Sequence, residues 1–310
     1  MAQKKKKVSF AKDMQKNYPV YLMFLPVLAF YIIFHYYPMA GIVMAFKNYK
    51  ASLGIWGSPW TTMHGFKHFY KFFTGAYFLR TVTNTTLLSF LQLIFGFPAP
   101  ILLALMLTEL RSNKFKRLMQ TITYLPHFIS TVVICGMLIE FCLTDGLFNQ
   151  VGALFGAEAV PFLSRPQYFR TIYVASGIWQ QIGWNSIIYL AAIASIDLQL
   201  YEAAELDGAG RFRKIWHITL PGIKQTIVVL FIMQVGRIMS VGHEKVLLLQ
   251  TDGNLATSEV ISSYVYKQGF GQNNDFSYST AVNLFNSVIN FSLVILANYI
   301  SRKFSETSLF

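Results

Sequence analysis

Five residues with hydrogen-bonding, aromatic or charged side chains stand inside long apolar stretches of this sequence: Gln181, Trp184, Asn185, Gln234 and Arg237. Gln181 and Asn185 are spaced i, i+4 with Trp184 beside them, so one helical face would carry two amides and an indole. Amides hydrogen-bond hydroxyl groups, and an aromatic plane packs on the apolar face of a sugar ring. This pattern indicates a path for a polyhydroxylated solute.

Arg237 is the only charged residue well inside any of these stretches, and on a helix it would share a face with Gln234. Intramembrane charges face a polar cavity or a charged partner. The guanidinium could bind a uronate or a sulfate bidentately, or it could pair structurally with Glu140 or Glu244. A third interpretation, in which these polar side chains simply join packed helices, also stays open. We prefer that joining role for a second series, Asn283, Asn286 and Asn290.

The sequence lacks the residue patterns of an ATPase or a metalloenzyme. A phosphate-binding P-loop needs a Gly-Lys dipeptide, and the chain contains none. His243-Glu244 is not followed by the second histidine of a zinc-protease motif, because residue 247 is leucine. His64 and His68 have no third ligand nearby, so we prefer an interfacial aromatic-basic helix to a metal site. We predict no catalytic residue, metal or cofactor in this chain.

The composition is that of an integral membrane protein. Of the 310 residues, 54% are hydrophobic and 13% are charged, and a soluble domain of this length would not tolerate that surface. The net charge of +12 at pH 7 is carried in short runs between apolar stretches. That distribution is typical of a positive-inside membrane protein and not of a nucleic-acid-binding surface.

Six stretches are long and apolar enough to cross a bilayer, which needs about twenty residues per helix. They are approximately 19–46, 81–107, 118–142, 171–198, 221–243 and 278–300. Asn185 and Gln234 then lie roughly 20 Å from the inner ends of their spans, near mid-membrane. Pro98 and Pro100 predict a kink in the second span, and Pro126 predicts one in the third.

Basic residues distinguish the two sides of the predicted membrane. Segments 108–117 and 199–220 are basic, whereas 143–170 and 244–277 are nearly charge-balanced, so both termini are predicted to be cytoplasmic. Segment 47–80 is the exception, because it should face outward yet contains four lysines and an arginine. We predict a basic cytoplasmic tail over residues 1–18 and a single all-α domain of six transmembrane helices over residues 19–310.

One motif stands in the predicted cytoplasmic loop 199–221. The pattern E-A-A-x3-G-x9-I-x-L-P is matched at every fixed position by Glu202, Ala203, Ala204, Gly208, Ile218, Leu220 and Pro221. Glycines at 208 and 210 predict a tight turn between two short helices, and the alanines offer a small-residue face to another protein. The alternative is an ordinary amphipathic loop, acidic at its start and basic later. The motif resembles the cytoplasmic signature of permeases of ATP-binding-cassette (ABC) importers.

This resemblance implies a type I importer permease fold in which the loop is the coupling helix, seated in a cleft of a separate ATPase subunit. Glu202 would pair with a basic residue of that cleft, and Asp207 and Gly210 belong to the same contact set. ATP and Mg²⁺ would be bound by the partner ATPase subunits. The chain itself would alternate mechanically between outward-open and inward-open states.

Further motifs extend the resemblance over nearly the whole chain. They are Tyr124 to Phe128, Asp145 to Leu147 with Asn149, Trp179, Gly183 to Asn185, Ser279 to Val282 and the tail Ser305 to Phe310. They look like the maltose-type carbohydrate importers, in particular the polysaccharide and complex-oligosaccharide branch. The resemblance implies that five residues correspond to family positions lining the sugar path: Gln181, Trp184, Asn185, Gln234 and Arg237.

Membership of that family implies a multi-pass protein of a bacterial plasma membrane, in contact with membrane lipid. Its partners would be a second, related permease, two cytoplasmic ATPase subunits and an extracellular or periplasmic sugar-binding protein, and its substrate an oligosaccharide. No nucleic acid is expected. A rival within transport is a permease for another solute, such as glycerol phosphate, phosphate or an amino acid. A rival from another class, a glycan-modifying membrane enzyme, would need paired carboxylates or a metal constellation, and the sequence shows neither.

Overall fold

The computed structural model describes residues 14–271 and 274–304, and these residues fold into α-helices with short 3-10 and π turns. The helices are α1 (Tyr18–Tyr31), α2 (Lys67–Phe73), α3 (Tyr77–Leu91), α4 (Pro98–Thr108), α5 (Asn113–Tyr124), α6 (Thr131–Phe141), α7 (Leu147–Ala153), α8 (Pro166–Ala194), α9 (Leu198–Leu206), α10 (Arg211–Lys214), α11 (Lys224–Val235), α12 (His243–Leu249), α13 (Ile261–Phe270) and α14 (Phe276–Phe304). Across the described residues the sole β-pairing is an isolated bridge between Lys47 and Trp60. The all-α fold class is confirmed.

Three continuous helices are long and apolar enough to cross a membrane: Tyr18–Phe46, Tyr77–Thr108 and Phe276–Lys303. Three further candidates are bent pairs: Asn113–Phe128 with Thr131–Phe141, Pro166–Ala194 with Leu198–Leu206, and Arg211–Gly222 with Lys224–Val235. The bends are 97°, 70° and 62°. The count reaches six only if each bent pair is one span, so the six-span topology and its orientation stay predictions.

The ends of the chain carry two sequence predictions that cannot be compared with the fold. Most of the predicted basic tail over 1–18 lies outside the described residues, and so does the terminal motif from Ser305 to Phe310. The division into this tail and a single membrane domain over 19–310 therefore stays a prediction.

The bend in the third span lies at Ile129 and Ser130, whose backbones are extended, directly after the 3-10 turn Leu125–Phe128. Pro126 has no backbone N–H to continue the helix of α5, and the Ser130 side chain accepts a hydrogen bond from Val133 N, which starts α6 as a separate helix. The kink predicted near Pro126 is a bend of 97°, and it falls just beyond the turn that contains this proline. Pro98 and Pro100 instead occupy the first turn of α4, where a missing N–H is tolerated, and a π turn over Gln92–Gly96 joins α4 to α3.

The first span stands apart from the rest of the bundle. No residue of α1 is buried, and the chain packs against α14 only from the turn Ala40–Phe46 onward. Every backbone group of a helix is satisfied internally, so such a segment is stable in lipid. Its apolar side chains are nevertheless free to pack against a helix of another chain.

Three of the five basic residues of segment 47–80 have partners for their side chains among the described residues. The Lys47 ammonium is buried and donates to the carbonyl oxygens of Ile55 at 3.0 Å and Trp56 at 2.9 Å. Lys71 pairs with Asp275 at 3.5 Å, and Arg80 pairs with the buried carboxylate of Glu259. These three cations are held by partners within the protein, and the orientation of the segment stays a prediction.

The interfacial helix expected around Met63 to Phe73 is shorter than the sequence suggests. The helix α2 begins at Lys67, and His64 precedes it with φ near +53°. His68 is buried, and its Nε2 lies 3.2 Å from the carbonyl oxygen of Lys47. The two histidines therefore do not share a helical face. Among the described residues, no group of three or more potential metal ligands occurs.

A buried polar network fixes α3 and α8 relative to the segment before α13. The Asn84 amide donates to the carbonyl oxygens of Ala256 at 2.9 Å and Glu259 at 3.1 Å, and its oxygen accepts a hydrogen bond from Arg170 at 2.9 Å. Glu259 also accepts from Arg80. The Nε atoms of Arg80 and Arg170 are buried without a hydrogen-bond partner, but the bonds from the Asn84 amide and the two guanidinium groups join α3, α8 and the segment before α13. A buried network of this kind favours a single helix arrangement, and it orients the two helices that lead into the cavity described next.

Candidate transport site and coupling surface

A cavity of about 400 Å³ lies between the π turn Gln92–Gly96, α4, α8 and the end of α11. Its polar lining consists of four amides and one guanidinium: Gln92, Gln181, Asn185, Gln234 and Arg237. Its apolar lining includes Phe97, Ile182, Ile188 and Met233. Four of the five residues singled out from the sequence, all except Trp184, therefore line the same cavity. The arrangement offers donors and acceptors for hydroxyl groups along an otherwise apolar wall.

The fourth amide, Gln92, is not recognisable from the sequence pattern. It is a single polar residue in an apolar run and opens the π turn between α3 and α4. Single π turns inside α-helices are frequent at functional sites. The π turn, which is visible only in the structure, is therefore the one feature that marks Gln92 as a candidate site residue. Gln92, Gln234 and Arg237 also line an adjoining cavity of about 260 Å³, so the polar lining is continuous from one cavity to the other.

Arg237 does not share a helical face with Gln234, and that sequence prediction is wrong. The helix α11 ends at Val235, and residues 236–239 form a turn. A Cβ on Gly236 would meet Val294 Cγ2 at 2.5 Å, so this glycine lets the end of α11 pack closely against α14. The predicted fifth span over 221–243 is therefore helical only to Val235, and Arg237 reaches the cavity from the turn.

Two asparagines of α14 hold that turn. Asn286 donates to the carbonyl oxygen of Met239 at 3.1 Å, and Asn290 accepts from Met239 N at 3.0 Å and donates to Ser240 Oγ at 3.0 Å. The helix-joining role preferred for them from the sequence is confirmed. Asn283, one turn earlier, is exposed. The pair replaces backbone hydrogen bonds that a broken helix loses, and it thereby positions Arg237.

The guanidinium of Arg237 is available to a ligand. It forms no ion pair and no side-chain hydrogen bond with any of the described residues, and its side chain is exposed to the cavity. Pairing with Glu140 or Glu244, the structural alternative, is absent within the same residues. An arginine at this position presents five N–H donors in a fork that matches a carboxylate.

Trp184 does not line the cavity with the two amides, contrary to the sequence prediction. Its indole turns toward the bend between α5 and α6 and stacks on the His127 ring, with centroids 4.4 Å apart and planes within 4°. Phe128 meets the indole edge-on at 5.7 Å. His127 Nδ1 lies 3.0 Å from Oε1 of Gln181, so this aromatic group is connected to the cavity through one amide.

A close approach between α8 and α5 allows this contact. A Cβ on Gly183 would lie 2.0 Å from the carbonyl oxygen of Thr123, so only glycine lets the two backbones come together here. The Gln180 amide, which is buried, donates to the carbonyl oxygen of Ile129 at 3.2 Å. Gly183 and Gln180 together clamp the bend onto α8, and the bend carries His127 with it.

Gly183→Ala is expected to prevent formation of a stable permease, because the added methyl group would overlap backbone atoms that no rotamer change can move. Overpacking typically costs about 1–3 kcal/mol, and a backbone clash belongs at the upper end or beyond. The measurement is the apparent melting temperature and the monodisperse fraction in detergent. Gly136→Ala in α6 is the matched control, since nothing lies within 4 Å of its Cβ position. Equal melting temperatures for the two variants would contradict the close packing.

The motif between the fourth and fifth spans forms two helices joined by a tight turn, as the sequence predicts. Asp197 caps the start of α9, its carboxylate accepting from Gln199 N at 2.9 Å. At the other end Gly208 has φ of +71°, and the N–H groups of Gly208 and Ala209 donate to the carbonyl oxygens of Glu205 and Ala204. This is a Schellman cap, in which glycine takes the left-handed position.

Three side-chain contacts brace this turn against the bundle. Lys214 pairs with Glu205 across the turn at 2.5 Å, and Arg211 approaches Glu109 at the end of α4 at 3.8 Å. Tyr201 and Thr219 hydroxyls lie 2.9 Å apart. The hydrogen bond and the charge of Lys214 lower the pKa of Glu205, so this bridge is intact at neutral pH. The result is a rigid projection.

The two halves of the motif have different surroundings. Ile218 and Leu220 are half-buried, and Leu220 packs on a core cluster that contains Tyr189 and Ile223; Pro221 is exposed. Residues of the first half point to solvent: Glu202, Ala203, Asp207, Gly208 and Gly210 are exposed and Ala204 is half-buried. The second half thus anchors the projection, and the first half presents it.

Sequence reasoning missed the two most exposed apolar side chains of this projection. Leu206 is 91% exposed and Phe212 is 89% exposed, on either side of the glycine turn. Large apolar side chains that stand in solvent beside an unpaired acidic residue mark a protein-binding surface. That residue is Glu202, which forms no ion pair with any described residue.

Comparisons with known proteins agree with this architecture. The profile of the family described as binding-protein-dependent transport system inner membrane component matches residues 73–306. The polygalacturonan/rhamnogalacturonan transport system permease protein YteP of Bacillus subtilis (strain 168) is 45% identical over 99% of this chain and 94% of its own length.

Two solved structures are similar over nearly the whole chain. A chain of a bacterial alginate ABC transporter in complex with an alginate pentasaccharide-bound periplasmic protein has a TM-score of 0.88 and 41% identity, covering 97% of this chain and 99% of its own. A chain of a bacterial ABC transporter involved in the import of the acidic polysaccharide alginate has a TM-score of 0.86 and 42% identity, covering 94% and 98%.

Proposed function

Because the chain belongs to the family of binding-protein-dependent transport system inner membrane components, and is therefore a permease subunit of an ABC importer in the bacterial plasma membrane, we propose that it passes an acidic oligosaccharide. The observation that carries the proposal is the cavity in which Arg237, unpaired, meets four amides. An uncharged sugar requires only the amides. The free guanidinium adds a group that recognises a carboxylate.

The chemistry of the lining fits a uronate-containing chain. Amides such as Gln234 and Asn185 can both donate to and accept from hydroxyl groups, and the apolar side chains between them pack on ring carbons. Arg237 supplies a bidentate donor for a carboxylate. A related permease is described as a polygalacturonan/rhamnogalacturonan transport system permease protein, and one of the structurally similar chains comes from a transporter of the acidic polysaccharide alginate.

The partners of this chain follow from its unpaired surfaces. A second, related permease would complete the walls of the open cavity and cover α1, no residue of which is buried by this chain. A binding protein would deliver the oligosaccharide, as the similar alginate complex contains a periplasmic protein with a bound pentasaccharide.

Two ATPase subunits would engage the permease pair from the cytoplasm, and the projection built by α9 and α10 is the surface that this chain offers to one of them. Leu206 and Phe212 would enter apolar pockets of its cleft, and Glu202 would meet a basic residue there. ATP and Mg²⁺ would be bound by the ATPase subunits. Because α8 leads directly into α9 through the capped turn at Asp197, movement of the projection is carried to Gln181 and Asn185 along one helix.

The proposal is tested by uptake into proteoliposomes that contain the permease pair, the ATPases and the binding protein. We expect concentrative, ATP-dependent uptake of a galacturonate or alginate oligosaccharide, and much weaker uptake of a neutral oligosaccharide of equal length. Uptake of glycerol phosphate in place of uronates would assign the chain to the rival solute class. Equal uptake of neutral and acidic chains would refute the carboxylate-binding role of the cavity.

The predicted orientation is tested by cysteine labelling. Ser112 and Glu158 are exposed positions in loops on opposite sides of the predicted membrane, and the two native cysteines are buried. In whole cells we expect a membrane-impermeant maleimide to label Glu158→Cys, and to label Ser112→Cys only after permeabilisation. The reverse pattern would invert the topology and place the projection outside, away from any ATPase.

A further inference from the structure

The amide of Gln181 is the one polar group of the cavity whose orientation is fixed by another side chain. Its Oε1 lies 3.0 Å from His127 Nδ1, and its Nε2 has no hydrogen-bond partner among the described residues. Gln181 is half-buried and lines the cavity. An amide held by its oxygen turns its NH₂ group the other way, toward the open space.

We propose that His127 is a positioning residue for transport, which holds Gln181 as a dedicated hydrogen-bond donor facing the substrate path. The inference rests on the proposed function, since it concerns how that cavity recognises its ligand by hydrogen bonding. A carboxylate accepts hydrogen bonds and cannot donate them, and the NH₂ group of Gln181 provides a donor without adding charge. An amide free to rotate would present its oxygen half the time and repel the same group.

The stacking of His127 restricts the tilt of its ring. Trp184 covers the imidazole at 4.4 Å with nearly parallel planes, so the stack holds the imidazole in the plane from which Nδ1 reaches Gln181 Oε1. The backbone of the bend is held separately, because the Gln180 amide donates to the carbonyl oxygen of Ile129. Substitutions at His127 therefore alter the contact to Gln181 while the bend keeps its own attachment to α8.

The proposal is tested with two matched variants in the complete complex, using a trigalacturonate as the probe. His127→Phe retains a ring on Trp184 and removes the donor. His127→Asn retains a donor near Nδ1 and removes the ring. We expect His127→Phe to raise the KM for uptake about fivefold, the effect of one hydrogen bond, with a smaller change in Vmax, and His127→Asn to stay within about twofold.

A double-mutant cycle separates positioning from general damage. In a Gln181→Leu background, His127→Phe is expected to change KM no further, because the amide it orients is gone. An unchanged KM in His127→Phe, an equal loss in His127→Asn, or additive effects in the cycle would each overturn the proposal.

Pull-down of the partner permease identifies any variant that fails to assemble. If one His127 variant fails in this way, the other His127 variant and Gln181→Glu test the proposal. Gln181→Glu keeps an oxygen toward His127 but turns an acceptor toward the path, so it should lose uptake, and normal uptake would overturn the proposal.

Failure of the proposed function gives a different result. If wild-type complex is stimulated by a neutral sugar or by glycerol phosphate and not by the trigalacturonate, the acidic substrate is refuted. The same His127 variants are then compared on the solute that is transported, because every one of these solutes carries oxygen acceptors for the Gln181 donor. A normal KM for His127→Phe on that solute would refute the positioning role as well.

Discussion

Gly208→Val is expected to uncouple ATP hydrolysis from transport, with binding protein and sugar no longer stimulating the ATPase and uptake reduced about tenfold or more. Gly208 has φ of +71° and nothing within 4 Å of its Cβ position. The substitution therefore creates no internal clash. It acts through the backbone, since a left-handed conformation costs an L-residue about 1–2 kcal/mol and a β-branched residue more.

The cost falls on the Schellman cap that ends α9. Loss of this cap would release the hydrogen bonds from Gly208 and Ala209 to the last turn of the helix. Leu206 and Phe212 would then no longer keep their fixed relation across the turn. The transmembrane helices would be unaffected, because their backbone hydrogen bonds are internal and lie away from this loop.

A matched pair of alanine variants isolates the conformational effect. Gly208 and Gly210 are both exposed, and neither has an atom near its Cβ position, but Gly210 has an extended backbone with φ of −70° and ψ of 169°. Gly208→Ala should therefore weaken stimulated ATPase activity several-fold, whereas Gly210→Ala should not. Glu202→Lys should weaken pull-down of the ATPase subunit while insertion and pairing with the second permease are retained. Wild-type stimulation in both Gly208→Val and Glu202→Lys would mean that this projection is not the coupling element.

The coupling projection could be predicted from the sequence because its structure is local. The turn depends on Gly208, the start of α9 on Asp197, and the contacts of both lie within a few residues along the chain. The sequence could not show which apolar side chains of the projection are exposed to solvent. Leu206 and Phe212 are ordinary apolar residues in the sequence, and only the direction of the two helices makes them the most exposed large apolar side chains of the projection.

The cavity was only partly predictable, because it depends on where helices end and how they rotate. Gln181 and Asn185 share a face of one continuous helix, so their i, i+4 spacing was sufficient. Trp184 lies about 100° around the same helix from Asn185, and the turn Leu125–Phe128 places His127 against its indole. Gln92 could not be predicted as a site residue, because a single amide in an apolar run forms no periodic pattern of polar residues.

The basic segment 47–80 shows a second limit of sequence reasoning. A count of lysines and arginines treats each charge as free, whereas the carbonyl oxygens of Ile55 and Trp56 bind Lys47 and a carboxylate binds Arg80. These partners lie on other turns or, for Glu259, far along the chain. A count of basic residues does not register such partners, and it weighs Lys47 and Arg80 like exposed, unpaired cations.

Arg237→Gln is expected to reduce uptake of an acidic oligosaccharide by about 10- to 100-fold, since a hydrogen bond to a charged group contributes about 1.5–3 kcal/mol. Glutamine keeps hydrogen-bonding capacity and removes the charge. The loss should appear mainly in KM for the acidic oligosaccharide, and uptake of a neutral oligosaccharide of equal length should change little. The measurement is uptake of both probes by the same proteoliposomes.

Arg237→Lys separates charge from geometry. Lysine keeps the positive charge but cannot form the bidentate fork, so an intermediate KM is expected between those of the wild-type and glutamine proteins. Asn286→Ala provides a second route to the same site, because it removes the hydrogen bond to Met239 that fixes the turn carrying Arg237. This variant should weaken acidic uptake without altering any group that touches the sugar.

A structural role for Arg237 predicts a different set of results. The guanidinium has no carboxylate partner among the described residues, so its removal leaves no buried charge uncompensated, and assembly with the second permease should survive. If Arg237→Gln instead failed to assemble, the arginine would have to pair across the permease interface. If it assembled and transported acidic and neutral chains equally well, the carboxylate would be recognised elsewhere in the path. Only selective loss of the acidic substrate, graded from arginine through lysine to glutamine, fits a guanidinium that binds a uronate on its way through the membrane.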